Sequence, residues 1–314
     1  MRYYFAPLEG LTDSVYRRLH HKYFPGIDRY YMPFISPTIH QTLTHREDRE
    51  LPMADSVPFT AIPQVLTKVS ADFLWAARTC AERGYTEVNL NLGCPSGTVV
   101  SKGKGAGMLA DPAALDRFLD EIFSASPVDI SIKTRLGIAA AEEFPPLLEI
   151  FNRYPIRELI LHPRVRKAFY KGAPDLDAFA WCIENSRATV CYNGNLNSVT
   201  DIQRFSAAFP RVEAVMLGRG LIGDPGMLAP GGTNVQKLEA FFEELLENYL
   251  VLFGGSRNAM FRLKENWHYL LRRFENSEKL GKQLRKTTDL QQYRSITHEI
   301  FHTLPLLPEL SADW

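Results

Sequence analysis

The sequence has no surplus of charge: its 314 residues set 36 Lys and Arg against 36 Asp and Glu. Taken as a total, that balance argues against a polyanionic partner such as nucleic acid. Cysteine is scarce too, and Cys80, Cys94, Cys182 and Cys191 show no CxxC spacing. That excludes a zinc ribbon, an iron–sulfur site and a disulfide framework, and no metal site is expected. No apolar run approaches the ~18–20 residues that span a bilayer. Pro7 interrupts the start of the chain too soon for a signal peptide. These absences imply a cytoplasmic protein with free thiols, off the membrane, and no obligate protein partner is evident. What is present is ordinary for a globular chain, 45% hydrophobic and 23% charged, which excludes a disordered or fibrous one.

Short apolar runs alternate with helical patterns through most of the chain. Runs at 3–6, 29–34, 59–65, 87–91, 129–134, 158–162, 189–193 and 214–218 predict eight strands, several apolar enough to be buried on both faces. Helical periodicity lies between them, as at 71–83 and 112–123. Eight strands with intervening helices in ~220 residues predict a (β/α)8 TIM barrel. Asp224-Pro225-Gly226 and Pro230-Gly231-Gly232 break the pattern. Helices are then predicted over 237–253, 258–274 and 290–302, with a short one near Lys282. The expected division is a barrel domain at 1–230 and a small all-helical domain at 235–314.

Barrel active sites lie at the C-terminal ends of the strands. Those ends here carry Pro7-Leu8-Glu9, Gln64, Asn91, Lys133-Thr134-Arg135, His162-Pro163-Arg164, Asn193-Gly194-Asn195 and Gly218-Arg219. One such residue means little, but a set from seven of eight strands is hard to explain as packing. Gly194 and Gly218 fit a phosphate site after the last two strands, with Arg219 a bidentate partner; each alone is also an ordinary turn glycine. Lys133 fits a Schiff-base lysine, a cation against a cofactor, or a salt-bridge partner, and spacing does not separate these. Cys80, Cys182 and Cys191 read as small buried hydrophobes. Cys94 differs, because a turn at a strand's C-terminal end exposes it toward the barrel mouth. Its thiol can donate a proton there as well as attack.

The segments APLEGLTDSVYRRL, NLNLGCPSGTVVSKGKGAGML, IKTRLG, LHPRVRKAFYKG, YNGNLNS and MLGRGLIGDP resemble the tRNA-dihydrouridine synthases, in order across nearly the whole barrel. FRLKENWHYL is similar to that family's helical domain. The resemblance implies an FMN enzyme, reduced by NADPH, that reduces the C5=C6 bond of uridines in tRNA. It implies that Cys94 protonates C5 while hydride reaches C6. Pro7, Leu8, Gln64 and His162 are implied flavin contacts, and Lys133 faces the flavin N1/O2 edge. Asn193, Gly194, Asn195, Gly218 and Arg219 are implied at the phosphate, and Asn91, Arg135 and Tyr170 at the target uracil. Leu8 and Pro163 stand where the family usually has Met and Gly; Pro163 stiffens its loop and removes a donor.

Finer inspection breaks the charge balance. From 96 to 110 the only charges are Lys102 and Lys104. Arg164, Arg166, Lys167 and Lys171 surround Phe169 and Tyr170 without an acid among them. Residues 257–294 hold ten basic side chains and four acidic ones. There Met260, Leu263, Trp267, Leu270, Leu271 and Phe274 predict an apolar helix face, and Lys264, His268 and Arg272 a basic stripe beside it. These loops and that stripe are the expected contacts for an RNA backbone. The competing readings are a flavin barrel acting on a free pyrimidine or enone, a lyase using Lys133, and a non-catalytic RNA-binding protein.

Overall fold

Apolar residues through the runs and polar residues at their ends give short strands, several of them buried on both faces. The computed structural model describes residues 1–310. Its strands are β1 (Arg2–Phe5), β2 (Arg29–Tyr31), β3 (Ala61–Ile62), β4 (Gln64–Val65), β5 (Glu87–Leu92), β6 (Asp129–Arg135), β7 (Leu159–His162), β8 (Val190–Asn193) and β9 (Ala214–Leu217). They form one sheet in the order β3-β2-β1-β9-β8-β7-β6-β5-β4, and every registered pair is parallel.

The two ends of that order, β3 and β4, are one run divided at Pro63. Proline has no N–H to give a ladder, but the carbonyls on either side still pair. Ile62 O accepts from Met32 N on one flank, and Pro63 O accepts from Asn89 N on the other. The sheet therefore closes on itself: all eight predicted strands are present, with the third split in two, as a TIM barrel. Its interior is packed with Tyr4, Ala6, Tyr31, Ile62, Ile160, Cys191, Ala214 and Met216, as layered barrel cores are. Cys80, Cys182 and Cys191 are buried as expected.

By compactness the chain falls into two units that no single cut separates. The first comprises Met1–Pro7, Arg29–Asn195 and Pro210–Met216; the second gathers Leu8–Asp28, Leu196–Phe209 and the chain from Leu217 on. The expected boundary at 230–235 follows chain order, whereas packing assigns the helix Ser14–Tyr23 to the second unit. The reason is aromatic. Tyr16 and Phe24 meet Phe241 at 5.4 and 5.3 Å, and Tyr249 donates to Asp13, the cap of the Ser14–Tyr23 helix, at 2.9 Å. The same unit holds the helices Val199–Ala208 and Arg219–Gly223 and, further along, Val235–Phe253, Ser256–Leu270, Glu278–Lys286 and Leu290–Thr303. Met260, Leu263, Trp267, Leu270, Leu271 and Phe274 are all buried, as their spacing predicts. The expected break at Asp224 is tied down instead: Arg273 Nε lies 3.1 Å from Asp224 Oδ2, both side chains being buried.

Candidate active site

Period-two alternation sends Asn89 and Asn91 of β5 to the same face as their β6 partners Ser131 and Lys133. Gln64 of β4 stands opposite Asn89. These side chains form a buried amide ladder. Asn91 Oδ1 accepts from the backbone N–H of both Gly93 (3.1 Å) and Cys94 (2.9 Å). Asn91 Nδ2 donates to Gln64 Oε1 (2.8 Å), Gln64 Nε2 to Asn89 Oδ1 (2.8 Å), and Asn89 Nδ2 to Ser131 Oγ (2.9 Å). Because Asn91 Oδ1 must accept, every amide below it has its orientation fixed. The ladder ends at the turn that carries Cys94.

That turn is also held from above. The glycine-rich segment after Cys94 folds back on it, with Ala106 N–H donating to Cys94 O (3.1 Å). Gly105 has φ +57°, and a Cβ there would meet Cys94 O at 3.0 Å and Cys94 Cβ at 3.1 Å. Both the left-handed backbone and the close approach call for glycine. Cys94 itself remains half-buried, the only one of the four cysteines that is not fully buried.

Lys133 is half-buried at the same end of the barrel, and no hydrogen bond or ion pair to its side chain exists among the described residues. Burial, with Arg135 adding repulsion and the Cys191 and Cys94 thiols opposing it, lowers its pKa to about 8. Arg135 is almost wholly buried and already engaged. It donates through Nε to Gly93 O (2.9 Å) and through Nη1 to Phe169 O (2.8 Å) and Val165 O (3.3 Å), and it lies 5.4 Å from the Tyr170 ring. It thus clamps the loop after β5 to the loop after β7. Burial lowers its pKa to about 10.

Arg164, expected among the surface cations, is buried. Its Nη1 donates to His162 Nε2 (2.9 Å) and its Nη2 to Gly172 O. A guanidinium has only donors, so the Nε2 of His162 accepts and a neutral ring carries its proton on Nδ1. Tyr170 lies 6.0 Å from the His162 ring and is 46% exposed; Phe169 beside it is 41% exposed with φ +52°. Lys102, Lys167 and Lys171 are exposed, and Lys104 is half-buried with Nζ 3.2 Å from Ser36 Oγ. Asn193 donates to Met216 O (2.8 Å), and Pro7, Gly194 and Asn195 are half-buried.

In the second unit Leu8 N donates to Thr12 Oγ1 (2.9 Å). Gly218 precedes the one-turn helix Arg219–Gly223, and a Cβ on Gly220 would meet Leu196 O at 2.7 Å, so the loops after β8 and β9 touch there. Lys264 does not lie free in a basic stripe. Its Nζ donates to the carbonyls of Arg285 (3.3 Å) and Thr287, closing the C-terminal end of the Glu278–Lys286 helix. Arg272 is half-buried.

The sequence reading gave no role to Asn89 and Ser131. Their signal was present as polar residues in step with Asn91 and Lys133 on strands otherwise apolar. Only the register shows that they meet.

A closed parallel barrel with a cysteine turn, an unpaired lysine and buried amides at the C-terminal strand ends defines a barrel enzyme. Comparison sharpens the class. The family model for dihydrouridine synthase (Dus) matches residues 4–301. The chain belongs to that family and is an oxidoreductase. It is 29% identical over 227 residues to the tRNA-dihydrouridine(16) synthase of Ralstonia nicotianae, covering 70% of this chain and 69% of that one. It is 26% identical over 323 residues to the probable tRNA-dihydrouridine synthase 1 of Synechocystis sp., covering 96% and 86%. It also shares its fold with a variant of NCR from Zymomonas mobilis, with TM-score 0.50, 13% identity, and 77% and 86% of the two chains covered. Among the described residues no helix is long and apolar enough to cross a membrane.

Proposed function

We propose that this protein is a cytoplasmic, FMN-dependent, NADPH-driven reductase of the uracil C5=C6 bond in tRNA. The observation that carries this reading is Lys133, a desolvated cation at the barrel mouth with no protein anion to meet it. A Schiff-base lysine and a flavin-facing cation both use such a group, but family membership favours the second. The donor set fits a flavin: a cation for the electron-rich N1/O2 edge, the Gln64 amide, and His162 held as a single tautomer. When bound, FMN would supply the hydride for C6, with NADPH as its reductant.

The chain's own residues do the rest. Cys94 donates its thiol proton to C5, on a turn that the amide ladder and the Gly105 approach prevent from shifting. Asn91 positions that turn and retains a second amide N–H, which can orient the uracil. Arg135 holds two loops together across the mouth, and Tyr170 offers a ring on which an unstacked base can rest. Pro7 and Leu8 border the flavin ring, and Asn193, Gly194 and Asn195 serve its phosphate. Arg166, Lys167 and Lys171 around Phe169 meet the RNA backbone, with Lys102 and Lys104 on the cysteine loop. The neutral total charge is compatible with RNA because the cations gather in these loops.

The test is direct. Purified protein should show flavin absorbance bands, and with NADPH it should form dihydrouridine in tRNA from a strain lacking this gene. Flavin-free protein that borohydride traps covalently on a carbonyl substrate would favour the lyase reading and overturn this one.

A further inference from the structure

The second unit carries a side-chain constellation that the reductase reading does not use. On the Val235–Phe253 helix, Glu239, Glu243 and Glu247 recur every fourth residue; on the Leu290–Thr303 helix, Arg294, His298 and His302 do the same. These two rows run antiparallel, one against the other. At one end Arg294 pairs with Glu247, a cation with an anion. At the other end the single carboxylate of Glu239 meets two imidazoles. His298 Nδ1 lies 3.3 Å from Glu239 Oε1, His302 Nδ1 lies 3.5 Å from it, and the two rings are 3.8 Å apart.

From this we infer a binding site for a late first-row divalent ion, of which Zn2+ is the type, formed by Glu239, His298 and His302. The three ligand atoms lie within 4.8 Å of one another. Zinc bonds of about 2.0–2.1 Å to imidazole and carboxylate in a tetrahedron place ligand atoms about 3.3–3.5 Å apart. The two His–Glu separations already match that edge. Two histidines four apart on one helix face are a recurrent zinc pair, and neutral imidazole is their ligating form. His302 Nδ1 also lies 3.0 Å from His298 O, a contact that ligation through that nitrogen would replace. The ligand count of three leaves a fourth position for water. A groove of about 400 Å³ lined by Glu239, His298 and Phe301 gives it access. The ion joins helices more than fifty residues apart in the chain, so its effect is to brace the helical unit. His298 and His302 carry the sequence signal through their spacing, whereas Glu239 is brought to them only by the fold.

The experiment uses the full-length, untagged protein, with ZnCl2 and CoCl2 as probes. Calorimetry should show one Zn2+ per chain, and a hundredfold excess over Kd should raise Tm by about 3–6 °C. Co2+ should give the visible bands of a tetrahedral nitrogen–oxygen site without an intense thiolate band. Both signals should vanish in His298→Gln with His302→Gln and persist in Cys94→Ser. His298 and His302 are both exposed, so the double variant should keep its circular dichroism. No zinc binding, a shift that survives in the double variant, or a thiolate band lost in Cys94→Ser would each overturn the site.

Discussion

The two ends of the barrel spend their charges in opposite ways. At the N-terminal ends of the strands, the buried carboxylates Glu87 and Glu158 are met by arginines. Arg29 Nη1 lies 3.1 Å from Glu87 and 3.6 Å from Glu158, Arg157 Nε lies 2.9 Å from Glu87, and Tyr4 donates to Glu158 at 3.0 Å. At the C-terminal ends, Lys133 faces Arg135 and two thiols, and Arg135 and Arg164 are spent on carbonyls and a histidine. One end is neutralised from within and closes the structure. The other leaves Lys133 without a carboxylate among the described residues. The same fold thus separates stability from chemistry by strand direction.

Substitution at each end should break that symmetry in a different observable. The largest effect belongs to Cys94→Ala, which should keep flavin and NADPH oxidation while dihydrouridine formation falls by about 10²–10⁴. Full product yield on saturating tRNA would remove the general acid from Cys94. Glu87→Ala at the closed end should cost about 1–3 kcal/mol, since it takes a buried carboxylate from Arg29 and Arg157 and leaves them only Glu158 and Asp129. Denaturant midpoints would measure this, and activity per folded molecule should not change.

Lys133→Met should do the reverse: stability of the flavin-free protein holds or rises, and flavin affinity drops at least about tenfold, or 1.4 kcal/mol. The sign with pH follows from its lowered pKa. Above about pH 8 the folded chain has released a proton that the unfolded chain retains, so the lysine's unfavourable contribution shrinks as pH rises through that value. An anionic partner should restore the proton. Flavin binding at pH ~8.5 should therefore take up a proton in the parent and none in Lys133→Met, as calorimetry in two buffers of different ionisation heat would read.

Smaller effects probe the connections. Asn91→Ala should cost about 1–3 kcal/mol by leaving the Gly93 and Cys94 N–H groups unmet, and it should lower product formation more than flavin affinity. Lys167→Glu with Lys171→Glu should weaken tRNA binding and lower its salt slope by about 2. An unchanged slope would take that loop out of the interface. Lys264→Glu makes the contrast: it removes the ligand of two helix-end carbonyls, so its first effect should be on the midpoint of thermal unfolding.

Much of this was legible before any coordinate. The apolar runs place all eight strands within a few residues, and the period of the 258–274 stretch marks its buried face. Cys94, Lys133 and the strand-end set stand out because barrel chemistry gathers at one end. What was not legible is how the polar groups divide among partners. Arg164 looks as cationic as Lys167 in the sequence, yet one is buried against His162 and the other faces solvent. Lys264 fits a surface stripe by spacing and closes a helix by contact.

The sequence by itself determined the strand and helix periods, the order of the barrel, the cysteine at the mouth and a neutral total charge. Each is a local or additive property, readable from neighbours a few residues apart. Tertiary structure alone decided that the split run at Pro63 closes the sheet and that Ser131, Asn89, Gln64 and Asn91 form one ladder. It alone left Lys133 without an anion while Arg29 received two. The reason is that hydrogen bonds and ion pairs are settled between residues far apart in the chain, by register and burial, and no sum over the sequence contains those distances.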